Sequence, residues 1–145
     1  MRMRKKANLE PRMEACAAWQ VKDPVAMKGS WRSLYPQARG LWVEIGCGKG
    51  KFTVETAQAN PDILLIAIER CREAMVMAME KARDMGLKNV FFVDLDVALM
   101  EGCFAFGEID RMFINFPDPW PRSKNAKRRL TYHTFLKMYT RVIRD

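Results

Sequence analysis

The chain has 145 residues, 49% hydrophobic and 29% charged, with a net charge of +8. That length is about one domain with one core, and the composition excludes a disordered or fibrous protein. No apolar run approaches the roughly 20 residues that span a bilayer, and Glu10, Arg12 and Glu14 interrupt the stretch where a signal peptide needs apolar residues, so a cytoplasmic protein without a membrane segment is expected.

Chemistry is bounded by the inventory as well. Cys16, Cys47, Cys71 and Cys103 form no Cys-x-x-Cys pair, and His133 is the single histidine. No zinc site, redox motif or catalytic triad is indicated, no metal ligands are assigned, and the thiols are expected to be free in a reducing compartment. His133 lies among helical residues and reads as structural.

The first 40 residues are the less regular part, read as an N-terminal extension to a core spanning 41–145. They begin with the basic cluster Arg2, Arg4, Lys5 and Lys6, continue into a short helix over 10–19, and pass through a loop-rich connection between Pro24 and Pro36. From Leu41 onward, short apolar runs alternate with amphipathic stretches, which predicts α/β architecture around a parallel sheet. The run Leu41-Trp42-Val43-Glu44-Ile45 stops at Gly46, Gly48 and Gly50, and a helix over Lys51–Ala59 follows, ending before Asn60-Pro61. Residues 63–68 are continuously apolar, as in a strand covered on both faces, and end at Glu69.

A helix is predicted from about Arg72, burying Met75, Ala78, Met79, Ala82 and Met85 on one face, with Gly86 closing it. A third strand, 90–93, reaches Asp94 and Asp96. The fourth, 111–116, delivers the chain into Phe116-Pro117-Asp118-Pro119-Trp120-Pro121. Tyr132, Phe135, Leu136, Tyr139, Val142 and Ile143 then share one helical face.

A glycine turn between a parallel strand and a helix lets backbone approach a ligand. Here Gly46-x-Gly48-x-Gly50 lacks the third glycine of a dinucleotide fingerprint, since Lys51 stands there, and the Walker A pattern fails at Ile45 and Phe52. The acids Glu44, Glu69 and Asp96 fall at the ends of three consecutive strands, where open α/β sheets hold ligands. As ligand groups, Glu44 suits a cationic amino-acid end, directly or through water; Glu69 suits a ribose diol; Asp96 suits an adenine amino group. The same acids could instead cap helices. In the loop, two prolines bracket Asp118 and fix the backbone, while Trp120 offers a flat face for a base or for packing. Arg122, Lys124, Lys127, Arg128 and Arg129 then put five positive charges into eight residues, a pattern for a polyanion or for a solvated surface run.

With these residues in view, the chain resembles the bacterial tRNA (guanine-N7)-methyltransferases. The matching stretches are Met1-Arg2-Met3-Arg4-Lys5, Lys28-Gly29-Ser30-Trp31, Val43 through Gly50, Ala67-Ile68-Glu69, Asp96, Asn115 through Pro121, Lys127-Arg128-Arg129-Leu130 and Phe135-Leu136. The resemblance implies a Rossmann-like methyltransferase fold, an open and mostly parallel sheet with helices on both faces. It implies S-adenosylmethionine as cofactor, contacted by Glu44, Gly46, Gly48, Glu69, Asp96 and Asp118, with Asp118 also catalytic. It implies tRNA as partner, contacted by Arg122, Lys124, Asn125, Lys127, Arg128 and Arg129, and methylation of guanosine N7 in the variable loop to give 7-methylguanosine. The family pattern Lys-Lys-Arg-His is replaced by Arg122-Ser123-Lys124-Asn125, one histidine and one charge fewer.

Family members continue with a glycine turn, a fifth strand and a C-terminal hairpin that helps hold the guanine, so this chain is expected to form an incomplete domain. An uncovered fourth strand would favour association, and a monomer or homodimer is expected. The rival class is a Rossmann module that binds cofactor or RNA without chemistry; mapping of methylated product separates the two.

Overall fold

The computed structural model describes residues 8–115 and 141–143. Four strands form one sheet: β1 (Leu41–Ile45), β2 (Leu64–Glu69), β3 (Val90–Asp94) and β4 (Arg111–Ile114). All pairings are parallel, in the order β3-β2-β1-β4. The chain therefore steps outward from β1 to β3 and then returns to the other side of β1, which places the topological switch point between the C-terminal ends of β1 and β4.

Strand alternation sorts side chains between two faces. Leu41, Val43, Ile45, Leu64, Ile66 and Ile68 pack on one face against Trp31, Met100, Phe104 and Val142. Leu65, Ala67, Val90 and Phe92 pack on the other against three helices, α1 (Leu9–Ala15), α2 (Lys51–Ala59) and α3 (Arg72–Asp84). Every residue of β2 is buried, as its unbroken apolar run requires. The strand extends one residue past that run, so Glu69 is its last member and pairs in register with Asp94.

The methionine stripe of α3 is core at Met75, Ala78, Met79 and Ala82, all fully buried, but Met85 is 40% exposed. The helix stops at Asp84 instead of continuing the period. Gly86, at φ 66°, donates to Arg83 O, and Leu87 donates to Ala82 O, the paired bonds of a Schellman stop that turns Met85 outward. The expected 10–19 helix is shorter than the sequence suggested, ending at Ala15, with a 3-10 turn over Ala17–Trp19.

Residues 8–40 are woven into the core. Gln20 bridges to Phe92 at the sheet edge, and Arg12 pairs with Glu80 to hold α1 on α3. Trp31 has no exposure, stacks on Phe104 at 4.8 Å and donates its indole N–H to Cys103 O at 2.8 Å. The Glu108 carboxylate gathers the backbone N–H groups of Gly29, Trp31 and Ala105. The Glu108 contacts lie beside the N-terminal ends of β1 and β4, where Asp110 also accepts from Leu41 N.

Candidate cofactor site at the carboxyl edge of the sheet

The turn after β1 is built from glycine because its backbone visits the left-handed region repeatedly, at Gly46 (φ 80°), Gly48 (φ 56°) and Gly50 (φ 88°). It carries no Cβ at those points, so backbone can approach a bound group closely. The turn is stapled to the next strand by Glu69. That carboxylate, 5% exposed, accepts from Gly48 N at 2.8 Å through one oxygen and from Cys71 N at 3.0 Å through the other. Each carboxylate oxygen has two acceptor positions, so capacity for a diol remains.

Glu44 has no exposed surface. Its side chain faces α2, with Oε1 accepting the Thr53 hydroxyl and Oε2 accepting Asn115 Nδ2 at 2.7 Å. Burial pushes the Glu44 carboxyl above the usual carboxylate range, the two hydrogen bonds oppose that shift, and the negative charge of Glu69 adds to it. Burial, reinforced by the same two acids, holds the Cys47 thiol well above its ordinary value, so this loop cysteine stays protonated, donating to Gly48 O.

Asp96 follows β3 and caps the 3-10 segment Val97–Gly102 by accepting from Ala98 N at 3.0 Å, while Arg70 lies 3.7 Å from its second oxygen. Beside it, burial raises the Asp94 carboxyl, Arg72 opposing and Glu69 reinforcing the shift.

The structure thus sets Glu44, Gly46, Gly48, Glu69 and Asp96 along one edge of the sheet. Asp118 and the basic residues Arg122, Lys124, Asn125, Lys127, Arg128 and Arg129 lie outside the described residues, as do His133 and the N-terminal basic cluster. Thr53 and Asn115 were given no role by the sequence reading. The signal for Asn115 is its place directly before the Phe-Pro-Asp-Pro-Trp-Pro loop; Thr53 has none beyond lying in the first turn of α2. Among the described residues no group of three or more His, Cys, Asp or Glu could hold a metal ion, and no helix is long and apolar enough to cross a membrane.

An edge rich in carboxylates and without the third glycine of the dinucleotide fingerprint does not suit a pyrophosphate. It does suit a ligand that presents an ammonium, a sulfonium, a ribose diol and an adenine amino group, and S-adenosylmethionine fits that set. The fold and this edge define a Rossmann-like methyltransferase. A family model described as "Putative methyltransferase" matches residues 38–145. The solved antibiotic-resistance methyltransferase Kmr shares the fold at a TM-score of 0.60 and 21% identity, over 80% of this chain and 60% of that one. TYW2 of M. jannaschii, solved in complex with AdoMet, does so at 0.58 and 19% identity, over 99% and 51%.

Sequence similarity is closer to another group. The tRNA (guanine-N(7)-)-methyltransferase of Geobacillus kaustophilus is 39% identical over 145 residues, all of this chain and 67% of that protein. The chain belongs to the tRNA (guanine-N7)-methyltransferase family and spans about two thirds of the length of such relatives.

Proposed function

We infer that this chain methylates guanine N7 in tRNA, in the variable loop, using S-adenosylmethionine, and that it works in the cytoplasm, where its free thiols stay reduced. The observation that carries the reading is the carboxylate-lined edge at the switch point of a parallel sheet, in a chain of this family.

When bound, the cofactor supplies a methyl group on a sulfonium: the N7 lone pair forms the new bond to carbon while the electrons of the broken C–S bond stay on sulfur. N7 presents its lone pair in the plane of the ring, so no proton need be removed first, and catalysis rests on orientation and electrostatics. Gly46 and Gly48 give the cofactor close backbone approach. Glu69 would accept from the ribose hydroxyls with the lone pairs its two staples leave free, and Asp96 would accept from the adenine amino group. Glu44 would contribute negative potential toward the cationic methionyl end, directly or through water. Asp118 also binds cofactor and is the catalytic position, its charge stabilising the cationic purine that develops. Arg122, Lys124, Asn125, Lys127, Arg128 and Arg129 contact the RNA.

Incubation with labelled S-adenosylmethionine and unmodified tRNA, followed by mapping of 7-methylguanosine, tests the assignment. Label in the variable loop at guanosine N7 is expected; binding of both ligands with no product would replace the enzyme by a binding module.

A further inference from the structure

Asn115 occupies the switch point itself. Its backbone N–H donates to Ile45 O at 3.0 Å, the last bond of the ladder between β1 and β4, and its side-chain amide donates to Glu44 Oε2 at 2.7 Å. One residue is therefore fastened twice, by main chain and side chain, to two successive residues of β1. The other oxygen of Glu44 holds Thr53, in the first turn of the helix that the glycine turn opens. Ordinary packing between sheet and helix would put an apolar residue here, as it does at Ala67, the register partner of Glu44 on β2. A carboxylate without exposed surface is unfavourable unless its hydrogen bonds are met, and when they are met it enforces one geometry. Thr53 and Asn115 meet them, and no buried side-chain oxygen or nitrogen among the described residues lacks a partner.

What Glu44 joins is informative. On one side is the start of α2, which follows Gly46, Gly48 and Gly50; on the other is the residue after β4, immediately before Phe116-Pro117-Asp118 in sequence. In-line transfer needs the reacting atoms held about 3–3.5 Å apart, and a displacement of about 1 Å can lower the rate about a hundredfold, so the relative placement of these two segments bears directly on rate.

We propose that Asn115 is a positioning residue: clamped by Glu44 and Ile45, it fixes where the chain leaves β4 relative to the glycine turn, and Glu44 acts on methyl transfer through it. The kinetic consequence rests on the methyltransferase reading, whereas the clamp rests on geometry alone.

One single and one double variant of the 145-residue chain test it. Asn115→Asp sets a second carboxylate against Glu44. It should lower kcat by about 10- to 100-fold while KM for S-adenosylmethionine stays within about twofold, the signature of misplacement and not of lost binding. Combining Asn115→Asp with Glu44→Gln reverses donor and acceptor: the new amide nitrogen donates to the new carboxylate, and its oxygen still accepts from Thr53. The double variant should recover at least about tenfold in kcat over Asn115→Asp alone.

Amide hydrogen exchange at Asn115, measured without cofactor or RNA, should speed up in the single variant and slow again in the double. Loss of kcat and KM together, or a double variant no better than the single in both rate and exchange, overturns the proposal. If the unchanged chain makes no methylated product yet exchange is rescued in the double variant, the functional reading fails and the clamp stands.

Discussion

Gly50 meets Ala78 so closely that a methyl group on Gly50 would sit 2.5 Å from the Ala78 Cβ and 2.7 Å from its Cα. The start of α2 is thus seated directly on the middle of α3, and the small side chain on each helix is what permits it. Gly50 also holds φ 88°, a backbone region that L residues populate with difficulty. Gly50→Ala meets both obstacles, left-handed strain of about 1–2 kcal/mol and overpacking of about 1–3 kcal/mol, so a loss of about 2–5 kcal/mol is expected by urea unfolding. Because α2 carries the glycine turn, calorimetric affinity for S-adenosylhomocysteine should fall with it. A variant of unchanged stability would mean that α2 and α3 slide apart without penalty.

Glu69 is the second point where packing and ligand site coincide. Glu69→Gln replaces one acceptor oxygen by an amide nitrogen, which can accept from neither Gly48 N nor Cys71 N, so only one of the two is still met. Leaving one of those buried N–H groups unmet costs about 1–3 kcal/mol. The expected outcome is a loss of stability in that range together with at least about tenfold weaker cofactor binding, since 1.4 kcal/mol is a factor of ten. Unaltered affinity in the presence of the stability loss would confine Glu69 to a structural role.

The raised Glu44 carboxyl makes a pH prediction whose sign is fixed. A folded-state pKa above the unfolded one means the native protein holds its proton more tightly, so this group's stabilising contribution is complete below the unfolded value near 4.5 and is lost as pH rises through the folded value. Relative to Glu44→Gln, which cannot titrate, the unchanged chain should gain stability as pH is lowered from neutral toward the ordinary carboxylate range. Urea unfolding of both proteins across that window gives the difference directly. A difference that does not vary with pH would show that Glu44 titrates as it does in the unfolded chain.

Trp31 separates stability from function. Trp31→Ala removes a fully buried ring with its stack on Phe104 and its bond to Cys103 O, and a large-to-small change of this kind costs about 3–5 kcal/mol. The lesion is at the amino edge of the sheet, away from Gly48 and Glu69. Under conditions where the variant remains folded, its affinity for S-adenosylhomocysteine should match that of the unchanged chain; a parallel collapse of affinity would link the two edges.

The sequence was legible where a signal is local. The run 63–68 is apolar because β2 is covered on both faces, the stripe through Met75, Ala78, Met79 and Ala82 repeats with the helix, and the acids at 44, 69 and 96 lie just before, at and just after the last residues of β1, β2 and β3. What could not be read is contact between distant residues. Nothing in the composition around Asn115 announces a bond to Glu44, 71 positions earlier, and nothing around Glu108 announces that it collects N–H groups from Gly29 and Trp31, 79 and 77 positions earlier. The 3-10 segments were missed because so few residues set no period, and Met85 was placed in the core because a period carries no information about where a cap will end it.

The basic stretch after Pro121 bears on the RNA half of the proposal, and salt is the variable that tests it. Each phosphate contact made by a lysine or arginine contributes about 0.7–0.9 to the negative slope of log affinity against log salt. Replacing Lys127, Arg128 and Arg129 together by alanine should therefore flatten that slope for tRNA by about 2–3 if all three contact phosphates, weakening binding most at low salt. Affinity for S-adenosylhomocysteine should be unchanged, because the cofactor brings no phosphate and the acids that suit it lie at the strand ends. Filter-binding titrations of unmodified tRNA across a salt series measure the slope. If it stays the same in the triple variant, the positive charge of this stretch serves the protein's surface and the RNA is held elsewhere.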